Sequence, residues 1–184
     1  KNIWNVHEGF NFERSEIKLP FLKKKFFTFG SFNNLNKVSD ENLKVWAKII
    51  SRVKNSRLLL KSSISYNLDS FLEKLKQYNL FEKVDIIKRK EDFKTHLNLY
   101  DQVDLALDTF PYNGVTTTFE ALWKCVPVLT LQGYNFNSRC GSSIIKNLGE
   151  NSLLSNSKDQ YIEKAVYLAT NINKLAELRM NLYK

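Results

Sequence analysis

The chain has 184 residues, 43% of them hydrophobic and 26% charged, which is the composition of a soluble globular domain long enough to bury one substantial core. Lysine and arginine outnumber aspartate and glutamate 28 to 19, and the net charge of +9 favours an anionic partner: nucleic acid, a membrane surface or a phosphorylated small molecule. Two cysteines, Cys125 and Cys140, exclude a disulfide framework and point to a reducing, cytoplasmic setting, and no apolar run reaches the length of a membrane span. The basic residues are scattered apart from Lys23-Lys24-Lys25 and Lys88-Arg89-Lys90, and neither run carries interleaved aromatics, so nucleic acid and membrane drop out as leading partners. The chain begins at Lys1 rather than Met, so it is expected to be a piece of something longer.

Residues 1–22 read as an irregular lead-in, with Trp4, Phe10 and Phe12 among polar residues and Pro20 at its end. Residues 23–184 read as one α/β domain. Phe26-Phe27-Thr28-Phe29 is a short apolar strand that Gly30 is expected to stop. Ser39 is a good N-cap for a helix with the stripe Leu43, Trp46, Ile50 and Val53, with Asp40 and Glu41 suited to its first turn. The pattern repeats: a strand over 57–61 and a helix with Phe71, Leu72 and Leu75; a strand over 84–87 and a helix over 91–100. A fourth strand over 103–107, with its core at Leu105 to Leu107, leads through a loop broken by Pro111 and Gly114 to a helix over 118–124. A fifth strand over 126–131 has Pro127 at its start, and a helix over 138–148 follows it. Two short helices, meeting near Thr170-Asn171, close the chain.

Strands that are apolar without alternation, each followed by an amphipathic helix, indicate a parallel sheet covered on both faces: a Rossmann-like, doubly wound domain. In open sheets of this type the ligand lies beyond the carboxyl ends of the strands, and every distinctive loop here falls at such an end. The loop after the fourth strand ends on Thr116, Thr117 and Thr118, and Thr117 with Glu120 has the spacing of a capping box. A helix start facing a strand end offers free N–H groups and a positive dipole end, and Lys37 and Lys61 stand at neighbouring strand ends. Hydroxyls, amides and an ammonium converging in this way suit a diphosphate. His7 and His96 are far apart and the cysteines unpaired, so no metal is expected; no Walker or G-x-G-x-x-G sequence occurs either.

Three segments carry a resemblance. Phe29-Gly30-Ser31-Phe32-Asn33-Asn34-Leu35-Asn36-Lys37, the run Asp108-Thr109-Phe110-Pro111-Tyr112-Asn113-Gly114-Val115-Thr116-Thr117-Thr118-Phe119-Glu120-Ala121-Leu122, and Val126-Pro127-Val128-Leu129-Thr130 resemble the O-GlcNAc transferase and SPINDLY family. The resemblance implies a GT-B enzyme of two Rossmann-like lobes, usually behind tetratricopeptide repeats, that glycosylates Ser or Thr of proteins. This chain would be its carboxyl-terminal, donor-nucleotide-binding lobe, with UDP-GlcNAc or GDP-fucose as donor and no cofactor. The partners so implied are the nucleotide sugar, a protein acceptor, and the amino-terminal lobe and repeats of the parent chain. By motif, Lys37, Asn34, Thr116 and Thr117 are the diphosphate contacts, Glu120 holds the ribose and His96 stacks on the base. Asn34 stands where the family has the longer glutamine, and Val115 replaces the histidine of animal enzymes, as in the SPINDLY-like branch. Arg89 and Lys90 are candidates for a lysine near the base, and Tyr112 for the sugar pocket. Asp108 is expected to hold loop amides. No residue reads as a general base, so the catalytic group stays unassigned, and the fragment alone is expected to bind nucleotide but transfer little sugar. The alternative reading is a non-catalytic nucleotide or nucleotide-sugar binding module.

Overall fold

The computed structural model describes residues 18–63, 67–90 and 92–183. In chain order these form α1 (Pro20–Lys24), β1 (Phe27–Ser31), α2 (Asp40–Arg52), β2 (Ser56–Ser62), α3 (Asp69–Gln77), β3 (Val84–Lys88) and α4 (Phe93–Asn98). There follow β4 (Leu105–Leu107), α5 (Thr116–Trp123), β5 (Val128–Leu131), α6 (Cys140–Leu148), β6 (Leu154–Ser155), α7 (Lys158–Thr170) and α8 (Ile172–Tyr183). All six strands are parallel, in the order β3-β2-β1-β4-β5-β6. This is the doubly wound order, and the chain reverses its direction of travel across the sheet between β1 and β4.

The central strands are apolar because helices cover them. Phe29, Leu58, Leu60, Leu105 and Leu129 are each fully buried, and α2 packs on α7 while α5 packs on α8. Ser39 caps α2 as expected, accepting the Asn42 N–H, and Trp46 and Ile49 on the inner stripe are completely covered. The last two helices meet at Thr170 and Asn171.

Several sequence expectations change. Pro20 opens α1 instead of ending a segment, since the first helical position needs no N–H. Trp4, Phe10 and Phe12 lie outside the described residues, as does Glu91. Gly30 lies within β1: a Cβ there would sit 2.6 Å and 2.7 Å from the two Val103 methyls, so the glycine admits Val103 to the strand rather than ending it. The two-residue strand β6, too short to leave a periodic signature, was not expected. The helix expected over 91–100 is α4 continued by a tighter turn, Leu99–Gln102. Among the described residues no helix is long and apolar enough to cross a membrane.

Candidate functional site

The loops leaving β1 and β4 meet at the switch point. Asp108, the first residue past β4, is buried and organises the crevice between them. Its Oδ1 accepts the Gly114 N–H at 2.7 Å and the Asn33 Nδ2 at 3.2 Å, and its Oδ2 accepts the Thr130 hydroxyl at 2.7 Å. The loop from β4 to α5 is thus fastened at both ends by one carboxylate, the role expected of Asp108. Burial pushes this carboxyl up to about 6, against the opposing pull of those hydrogen bonds. Tyr161 adds a bond from below, its hydroxyl donating to the Asp108 carbonyl at 3.0 Å.

Helix α5 begins at Thr116, and no side chain caps it. Its first N–H groups lack intrahelical partners and open toward the crevice end of the sheet. The expected capping box does not form. Thr117 is already inside the helix, so its hydroxyl instead donates to Asn33 Oδ1 at 2.6 Å, and Glu120 is engaged elsewhere. Gly114 is required here: a Cβ on it would lie 2.4 Å from Thr117 Oγ1 and 2.5 Å from Asn33 Oδ1. Thr116 is exposed beside it.

Lys37 reaches the same crevice from the short turn Leu35–Lys37. Its Nζ donates to the Asn113 carbonyl at 3.2 Å and sits 4.0 Å from the centre of the Tyr112 ring. Partial burial lowers its pKa, and the charge of Asp108 works the other way. Lys37 and Tyr112 thus meet on the loop that leads into Thr116 and Thr117. Asn34 does not join them through its side chain, whose oxygen accepts the Asn36 N–H and caps the turn that presents Lys37. The asparagine that enters the site is its neighbour Asn33, buried between Asp108 and Thr117, which nothing in the local sequence distinguishes from Asn34 or Asn36.

Glu120 and His96 come together one helical turn along. Glu120 Oε2 accepts the Tyr100 hydroxyl at 2.8 Å and lies 3.3 Å from His96 Nε2, which is itself 3.4 Å from Lys61 Nζ. Burial alone would push the Glu120 carboxyl up, but the hydrogen bonds from His96 and Tyr100, with the charge of Lys61, bring it below its ordinary value. Burial also lowers Lys61 and, with the Glu120 charge, holds Tyr100 well above the usual phenol range. Lys61 thus belongs with Glu120 and His96 rather than with the helix start. The Tyr100 hydroxyl also lies 3.2 Å from the Thr117 carbonyl, which links the two halves of the site. Arg139 is exposed, flanking a hollow with Tyr134, Phe136 and Lys146. Arg89 and Lys90 stand on the stretch after β3, and the charge of Arg89 adds to burial in lowering Lys61.

The chain is similar to known proteins. The chain is 40% identical over 168 residues to a tomato (Solanum lycopersicum) protein named probable UDP-N-acetylglucosamine–peptide N-acetylglucosaminyltransferase SPINDLY, covering 89% of this chain and 18% of that one. An O-GlcNAc transferase mutant of Thermobaculum terrenum superposes with a TM-score of 0.82 at 31% identity, over 94% of this chain and 32% of that one. The carboxyl-terminal domain of a group 1 glycosyl transferase from Francisella tularensis shares the fold, with a TM-score of 0.68 at 15% identity, over 94% of this chain and 91% of that domain. The fold is accordingly the Rossmann-like carboxyl-terminal lobe of a GT-B glycosyltransferase, and the chain spans about a fifth of the length of the curated relatives it matches. Residues 13–184 match the family described as Glycosyl transferase family 41, and the chain belongs to that family.

Proposed function

We propose that this chain is the donor-nucleotide-binding half of a protein O-glycosyltransferase, which moves a sugar from a nucleoside diphosphate to Ser or Thr of a protein acceptor. The observation that supports the reading is that Lys37 sits against the loop leading into the uncapped start of α5, which bears Thr116 and Thr117, at the switch point between β1 and β4. As the glycosidic bond breaks, negative charge grows on the departing diphosphate. A fixed ammonium and a row of helical N–H groups stabilise that charge without reorganising. The half-buried Lys37 acts in a medium less screening than water, which strengthens its pull. In this reading Glu120 accepts ribose hydroxyls and His96 packs on the base; the two side chains lie in contact, 3.3 Å apart, one turn along α5 from Thr117.

UDP-GlcNAc and GDP-fucose are the two donors this reading allows. In this reading the rest of the active site, which receives the protein acceptor, comes from the amino-terminal GT-B lobe and tetratricopeptide repeats of the parent chain. Calorimetric titration of the 184-residue chain with UDP and with GDP tests the proposal. One of the two binds, and Thr117→Val weakens it by at least about tenfold, the worth of one hydrogen bond to an anion. Failure of both nucleotides to bind overturns the reading.

A further inference from the structure

Asn33 occupies a position that the diphosphate reading does not use. It is 6% exposed, its amide sits where a Cβ on Gly114 would clash with it, and both ends of the carboxamide are engaged. Nδ2 donates to Asp108 Oδ1 at 3.2 Å, and Oδ1 accepts the Thr117 hydroxyl at 2.6 Å. The orientation of the amide follows from chemistry. An ionised carboxylate only accepts, so the nitrogen must face Asp108 and the oxygen must face Thr117. A threonine hydroxyl has one hydrogen, and here that hydrogen points at Asn33. The Thr117 side chain is therefore held in one rotamer before any ligand arrives, with its oxygen beside Gly114 and the first turn of α5.

We infer that Asn33 is a positioning residue for the donor diphosphate, acting through Thr117: it fixes the threonine rotamer in the empty site and gives up the hydroxyl hydrogen when a phosphate oxygen arrives. This rests on the donor-site reading above. Preorganisation of this kind stabilises the complex by removing a rotamer-ordering cost from the binding step. Gly114 belongs to the same device, since any side chain there would push Asn33 and Thr117 apart.

The test is a double-mutant cycle on the 184-residue chain, read by calorimetric titration with whichever of UDP and GDP the wild type binds. Asn33→Ala weakens binding about fivefold to tenfold in the wild-type background and less than about twofold in a Thr117→Val background, because the residue it acts through is then gone. Should Asn33→Ala fail to fold, as judged by its melting transition, Asn33→Leu replaces it, filling the same space without either hydrogen bond. Equal losses in the two backgrounds, or no loss in either, overturn the inference while leaving the donor site intact. A wild-type chain that binds neither nucleotide overturns the donor reading itself, and the inference with it.

Discussion

The Tyr100 hydroxyl donates to Glu120 Oε2 at 2.8 Å, which joins the turn after α4 to the middle of α5 at the candidate ribose residue itself. Glu120 is only 5% exposed, yet its carboxyl lies below its ordinary pKa because Tyr100, His96 and Lys61 all face it from other elements. Removing one of these partners leaves a buried charge short of a hydrogen bond. Tyr100→Phe is therefore expected to cost about 1–3 kcal/mol of stability, read from the midpoint of urea denaturation. A variant as stable as wild type would show that the bond contributes nothing.

Lys37 makes a different prediction, since it contributes little to the fold. Its one hydrogen bond and its contact with Tyr112 lie at the rim of the crevice. Lys37→Ala is expected to change stability by less than about 0.5 kcal/mol, as surface replacements do. The same change weakens nucleoside diphosphate binding by at least about tenfold, the worth of a charge-assisted bond. Matched calorimetric and melting measurements on the one variant decide this, and a melting change without a binding change contradicts it.

Gly30 and Val103 are coupled by the approach of the valine methyls to the place a Cβ would take. Both stand in a packed interior, so Gly30→Ala is expected to cost about 1–3 kcal/mol through overpacking. In a Val103→Ala background the cost of Gly30→Ala becomes smaller, because the obstructing methyls are gone. Denaturation of the four proteins of the cycle measures the difference, and additive losses would rule out the clash as the cause.

Asp108 gives the chain a pH dependence with a definite sign. Its folded-state carboxyl titrates at about 6, raised by burial above the ordinary 3.8. Between those values the folded chain holds a proton that the unfolded chain has released, so this group makes stability fall as pH rises through the window and adds no change above it. A separation of about two pH units corresponds to about 3 kcal/mol. Urea denaturation of wild type and Asp108→Asn at pH 4 and pH 7 isolates the contribution: the wild type loses more stability across that interval than the variant. Parallel behaviour of the two would place the Asp108 titration elsewhere.

How far the site was legible depends on what kind of pattern each residue belongs to. Thr116, Thr117 and Lys37 stand in local motifs next to strand ends, so their placement at the switch point follows once the strands are read as parallel. Asn33 does not stand out among Asn33, Asn34 and Asn36, because only the position of Asp108 decides which of these side chains turns inward. Lys61 looked like a second phosphate ligand because it ends a strand. The order of the sheet carries it to His96 and Glu120 instead, since β2 is separated from β4 by β1.

The sequence by itself determined the strand and helix alternation, the burial of the central strands and the loops that bear function, because hydrophobic period and turn residues are local properties. It also carried the family motif. Tertiary structure alone decided that Thr117 answers to Asn33 rather than to a capping partner, that Glu120 binds Tyr100 and His96, and that Gly30 makes room for Val103. Each of these is a contact between segments far apart in the chain. The physical reason is that a hydroxyl or carboxylate has several partners within reach of its own helix, and only packing from another element excludes all but one.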